Sequence, residues 1–80
     1  MERSEVVEKI RGVLVKELKH DKFEMRDSLT AEEVEGWDSL THMVIITEIE
    51  KTFGVRFKLK ELNKLQNMGD LINLVMSRQS

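Results

Sequence analysis

Apolar positions recur at three- and four-residue spacing along most of the chain and divide it into four helical stretches around one long polar gap. In the first stretch, about Ser4 to Leu18, Val6, Val7, Ile10, Val13, Leu14 and Leu18 form one stripe, the pattern of a helix that buries a single face. Glu5 and Lys9 stand four apart in the favourable order for a surface ion pair. Gly12 weakens this helix by about 1 kcal/mol relative to Ala, and close packing against a neighbour is the expected reason for it. The second helix, about Ser39 to Thr52, carries Leu40, Met43, Val44, Ile45, Ile46, Ile49 and the following Phe53, more than one stripe can use. Such a helix either lies centrally in the core or shows apolar residues to a partner. Gly54 suits the left-handed position that ends a helix.

The third helix, Lys58 to Leu65, is short, with Leu59, Leu62 and Leu65 on one side and Lys58, Lys60 and Lys64 on the other. The fourth starts near Asn67, a good N-cap, with Asp70 adding negative charge at the positive helix end. Its inward positions are Leu71, Ile72 and Val75, joined by Leu74 and Met76. Val55 to Leu59 alternates too briefly for a strand and reads as an extended link. The gap from Lys19 to Asp38 holds only Phe23, Met25, Leu29, Val34 and Trp37 as large apolar residues, which are expected to pin it to the core. Thr30-Ala31-Glu32-Glu33 has the form of a capping box and predicts one helical turn inside it. The predicted fold is all-α: a small four-helix bundle of three main helices and one short one, with a long first loop.

Composition narrows the classes. Eighty residues make a single domain, expected to span 1–80, with a thin core. With no Cys there are no disulfides and no thiolate zinc site, and two His cannot build a structural metal site alone. Stability must come from helix packing. The longest apolar run is Met43 to Ile46, far short of the roughly 18 residues needed to span a bilayer. Met1 to Ile10 is charged and mixed, unlike a signal-peptide apolar region. A cytoplasmic monomer that does not insert into membranes is the expectation. A sequence pI near 5.7 argues against nucleic acid as a partner. Pro is absent, where average usage of about 5% predicts roughly four.

The chemistry concentrates at Gly36-Trp37-Asp38-Ser39-Leu40, where the long loop meets the second helix. If Asp38 is the N-cap, Ser39 is the first helical residue and its hydroxyl is free at the positive helix end, where an anion such as a phosphodiester is welcome. Leu40 is then expected to pack beside the loop. Alternatively Ser39 is itself the cap and has no other role, although a capping box would want Glu or Gln at the position of His42.

Asp38-Ser39-Leu40 near mid-chain resembles the acyl carrier protein family, given this length and four-helix pattern. So do Glu50-Lys51-Thr52-Phe53-Gly54 at the close of the second helix and Asn67-Met68-Gly69-Asp70-Leu71 at the start of the last. The resemblance covers nearly the whole chain, and Gly36 to His42 is similar to stand-alone, polyketide-type or other specialised carriers rather than the housekeeping fatty-acid type. It implies that Ser39 receives 4′-phosphopantetheine from coenzyme A, its hydroxyl attacking the pyrophosphate with activation supplied by a separate Mg²⁺-dependent phosphopantetheinyl transferase. The arm's thiol then holds acyl groups as thioesters, and the protein is a substrate of acyl-loading and acyl-processing enzymes rather than a catalyst. Asp38 and Leu40 flank the attachment site. Partner recognition falls, by the same resemblance, to Asp38, Leu40, Thr41, Met43, Thr47, Glu48 and Glu50.

This chain departs from the housekeeping pattern. Thr41, Val44 and Lys51 stand where those carriers usually have acids. Val55-Arg56-Phe57-Lys58 replaces a segment that commonly contains Pro, and the third helix is basic. Residues 21–50 hold nine acids and two bases, a balance of −7, while residues 51–80 hold six bases and two acids, a balance of +4. A dedicated partner set that reads an acidic end near Ser39 follows from these differences.

The residues also admit other readings. Ser39 and His42, three apart on a helix, resemble a hydrolase dyad only in name, since no orienting third group or G-x-S-x-G elbow accompanies them. His20, Asp21 and Glu24 form a polar helix-end loop more simply than a metal site. Glu32, Glu33 and Glu35 read as a solvated turn. Met25, Met68 and Met76 fill core space, whereas Met43 is expected to be partly exposed. The rivals to a fatty-acyl or polyketide carrier are a carrier of aminoacyl or D-alanyl groups and a helical interaction module without prosthetic group.

Overall fold

The computed structural model describes residues 2–79. Four helices follow one another: α1 Arg3–Leu18, α2 Ser39–Phe53, α3 Leu59–Leu62 and α4 Met68–Arg78, with a 3₁₀ turn at Ala31–Glu33 in the first loop. The all-α expectation holds, and there is no strand among the described residues. Helix α1 packs against both α2 and α4. Its Val6, Ile10, Val13 and Leu14 meet Ile45, Ile46, Ile49 and Phe53 of α2 and Met68, Leu71, Ile72 and Val75 of α4 in one buried cluster.

The long first loop is tied down as its apolar residues predicted. Leu29 and Val34 are buried, and Phe23, Met25 and Trp37 pack against the same cluster. The backbone adds a clamp. The N–H groups of Met68 and Gly69 donate to the carbonyls of Leu29 (2.7 Å) and Asp27 (2.9 Å). A helix leaves its first four N–H groups without intrahelical partners. In α4 two of them are supplied by the loop and the third by the Asn67 side chain, which accepts from Asp70 at 2.9 Å. The predicted Asn67 cap is therefore present, and Asp70 in turn accepts from the Gln66 backbone. The Thr30–Glu33 capping box is also present, with Glu33 held as an anion first by the Thr30 backbone N–H and further by Arg26.

Several expectations are corrected. Gly12 is exposed, and a methyl group there would meet nothing within 4 Å, so close packing does not explain it. Glu5 turns back to the Glu2 backbone N–H, and no Glu5–Lys9 pair forms among the described residues. Helix α3 is a single turn rather than a helix from Lys58 to Leu65. Its capping Glu61 accepts from the Lys58 backbone N–H at 2.8 Å. Leu59 is 71% exposed, so the three-residue repeat of Leu59, Leu62 and Leu65 does not mark a buried stripe. Gly54 ends α2 in the predicted left-handed conformation, at φ 65°. Lys19 ends α1 in the same conformation, at φ 63°, with its N–H on the Val15 carbonyl.

Candidate functional site

Asp38 decides the start of α2. Its backbone is extended, and its side chain accepts the Thr41 N–H at 2.8 Å, while its carbonyl accepts the His42 N–H at 2.8 Å. Of the two arrangements open from sequence, the structure takes Asp38 as cap and Ser39 as first helical residue. The Thr41 backbone N–H lowers the Asp38 pKa below the ordinary carboxylate value, so Asp38 is a firm anion at neutral pH. It already occupies the positive end of the helix. The positive end of the helix is thereby partly neutralised by this carboxylate.

Ser39 is exposed, and its hydroxyl makes no hydrogen bond among the described residues. It opens onto a groove of about 440 Å³ lined by Ala31, Glu32, Trp37, Asp38, Ser39, His42 and Met43. Leu40 is 77% exposed and takes no part in that lining, so it does not pack beside the loop as expected.

His42 lies one turn into α2 and is half-buried. Its Nδ1 receives the Trp37 indole N–H at 3.1 Å, and the two rings lie within 25° of parallel with centroids 6.1 Å apart. Indole N–H only donates, so Nδ1 must carry the lone pair and the proton sits on Nε2. Burial lowers the His42 pKa from 6.5 and keeps it neutral. This nitrogen is committed to Trp37 and not to Ser39, which removes the dyad. The Trp37–His42 pair is not evident from the spacing of apolar positions along the chain. The signal was there in principle, because a half-buried Trp N–H needs an acceptor, and His42 is an acceptor within one turn. The pairing also needs the turn at Gly36, whose φ of 86° favours glycine.

The rest of α2 carries a second stripe that faces outward. Leu40, Met43 (51% exposed), Val44 (43%) and Thr47 fall at i, i+3, i+4 and i+7, immediately after Ser39. Thr47 donates its hydroxyl to the Met43 carbonyl. Of the acids assigned to recognition, Glu48 lies between Lys16 (3.4 Å) and Lys51 (3.6 Å). Glu50 turns inward and accepts the Phe57 backbone N–H at 2.8 Å. That bond holds the α2–α3 link, so Glu50 has a structural task the sequence did not reveal.

His20 is held by backbone groups on both ring nitrogens. His20 accepts the Lys22 N–H on Nδ1 and donates from Nε2 to the Glu35 carbonyl at 2.7 Å. Both ring nitrogens are thus committed to backbone, and no group of three or more His, Asp or Glu among the described residues could hold a metal ion. No helix among them is long and apolar enough to cross a membrane.

The sequence profile described as the phosphopantetheine attachment site matches residues 8–75, most of the chain and all of α2. The chain belongs to this family. An acyl carrier protein from Rickettsia bellii (strain RML369-C) is 39% identical over 54 residues, which cover 68% of this chain and 62% of that protein's length. The prosthetic group of the family is covalent 4′-phosphopantetheine, and the residues here fit it. A free, exposed serine hydroxyl stands at a helix start, beside an open groove with largely apolar walls. Family members carry the group for other enzymes and are not themselves catalysts.

Proposed function

We propose that this protein is an acyl carrier whose Ser39 bears the 4′-phosphopantetheine arm. The observation that carries the reading is the free Ser39 hydroxyl, which emerges behind the Asp38 cap at the edge of the groove. The Ser39 Oγ forms the new bond to phosphorus, the pyrophosphate bond of coenzyme A breaks and releases adenosine 3′,5′-bisphosphate, and the hydroxyl proton leaves to a base of the transferase. His42 is not that base, since its Nδ1 is bonded to Trp37. When bound, the arm supplies a thiol that holds acyl groups as thioesters. The protein has no cysteine of its own to compete for them.

The partners in this reading are a phosphopantetheinyl transferase and the enzymes that load and process the acyl group. Their contact surface is the outward stripe of Leu40, Met43, Val44 and Thr47, with Asp38 and Glu48 beside it. Thr41, Val44 and Lys51 make this surface less acidic than a housekeeping carrier's, which supports a dedicated set of partners. The test is intact-mass spectrometry after coexpression with broad-range phosphopantetheinyl transferases. The expected result is a gain of one phosphopantetheine that Ser39→Ala abolishes. No gain with any of several transferases overturns the proposal.

A further inference from the structure

The groove at Ser39 is not the only space near the pair of Trp37 and His42. A second, more enclosed cavity of about 70 Å³ lies between the first loop and the start of α4, lined chiefly by Leu29, Leu65, Met68 and Leu71. Ala31, Trp37 and His42 line both spaces. Residues that face two cavities at once are the wall between them. This wall is braced by the 3.1 Å indole–imidazole hydrogen bond between its two near-coplanar rings. Its base is fixed as well, because the His42 backbone N–H is bonded to the Asp38 carbonyl and Trp37 N–H to the Val34 carbonyl. The inner cavity is lined mostly by apolar residues, with Gln66 and Asn67 among them, while the outer groove is open to solvent.

We propose that the Trp37–His42 pair is a partition that determines where the acyl chain rests, and so which chain lengths this carrier shelters. It rests on the reading that Ser39 carries the arm. With the pair closed, a chain attached through Ser39 lies in the outer groove, against Trp37, Ala31 and Met43, and the inner cavity is shut off. A longer chain gains nothing from Leu29, Met68 and Leu71 and extends into water. Removing either ring joins the two spaces, and apolar chain can then leave water in proportion to its length. Trp37 and His42 are specificity-determining residues in this scheme and take no part in thioester chemistry.

The test uses the full chain loaded with butyryl, octanoyl or dodecanoyl phosphopantetheine. Intact mass confirms loading first, so that a failure of Ser39 modification is read there and counts against the attachment site alone. Methyl NMR then follows Leu29, Leu65, Met68 and Leu71. In the native protein these resonances are expected to stay in place across the three chain lengths, while Ala31 and Met43 respond. In His42→Ala, or in Trp37→Leu should the first variant fold poorly, the inner methyls are expected to move progressively with chain length. A merely structural role would lower stability without creating that dependence. The proposal is overturned if the native inner methyls follow chain length as strongly as those of a folded variant. It is overturned equally if neither folded variant shows any dependence.

Discussion

The Trp37 indole N–H donates to Nδ1 of His42 across 3.1 Å, and that bond exists only while His42 is neutral. Desolvation already lowers the His42 pKa from 6.5. In the unfolded chain the same imidazole titrates at its ordinary value, so near and below pH 6.5 the unfolded state binds more protons than the folded one. Stability contributed by this group is therefore complete above pH 6.5 and falls as the pH drops through 6.5 toward the lower folded pKa. Asp38, Glu33 and Glu61 also have lowered pKa values, but their losses come in the more acidic carboxylate range. Urea titrations at pH 8, 6.5 and 5.5, read by the fluorescence of the single Trp, should show declining stability. His42→Gln should flatten that decline, and an equal slope in the variant would refute the assignment.

Gly69 sits where the long loop crosses the start of α4. A Cβ there would lie 3.0 Å from the Asp27 Cβ and 3.2 Å from the Asp27 carbonyl oxygen. That second atom is backbone, and it accepts the Gly69 N–H. Gly69→Ala must push the loop away from the helix and stretch the clamp. The expected cost is about 1–3 kcal/mol, as for other overpacked sites. Chemical denaturation measures it, and hydrogen exchange at Met68 and Gly69 should speed up together.

The parts of this molecule that were legible in sequence are those where a side chain is the cause. Asp38 and Asn67 cap because their own oxygens accept backbone N–H groups, and Glu33 reaches back to the Thr30 N–H; such residues announce themselves. The buried faces of α1 and α4 were legible because their periodicity matches their burial. Ser39 was legible as the first residue of α2 only once Asp38 was taken as the cap. Features set by long-range backbone geometry were not legible. Leu59 continues a leucine repeat, yet α3 lasts one turn and leaves it in solvent. Gly12 looked like a packing glycine, yet nothing approaches it. Trp37 and His42 meet because the loop turns at Gly36, and Glu50 finds the Phe57 N–H only after α2 has ended.

Lys19 illustrates the same limit and yields a prediction. Its left-handed conformation at the end of α1 costs a side-chain-bearing residue roughly 1 kcal/mol that glycine avoids. The capping bond from its N–H to the Val15 carbonyl, 2.8 Å, does not involve the side chain. Glycine's greater freedom in the unfolded chain offsets part of the gain. Lys19→Gly is expected to stabilise the fold by about 0.5 kcal/mol, visible as a higher urea midpoint at unchanged slope. A lower midpoint would show that the Lys19 side chain makes a contribution of its own.

The two faces of α2 should separate stability from recognition. Ile49 is fully buried, and Ile49→Ala removes atoms from the centre of the cluster shared with α1 and α4. The expected cost is about 2–5 kcal/mol, enough to unfold a thin-cored domain. Met43 and Leu40 are 51% and 77% exposed, so truncating them removes little buried contact. Met43→Ala and Leu40→Ala should shift stability by less than about 0.5 kcal/mol, as surface substitutions do. If the outward stripe is where partners dock, the same two variants should slow phosphopantetheine transfer to Ser39 several-fold, through a higher KM rather than a lower kcat. Glu50→Ala should behave oppositely, loosening the α2–α3 link by losing its bond to the Phe57 N–H while leaving transfer unchanged in the folded fraction. Transfer kinetics measured beside denaturation curves on the same preparations decide it. Unaltered kinetics for both Met43→Ala and Leu40→Ala would place recognition on another face of the protein.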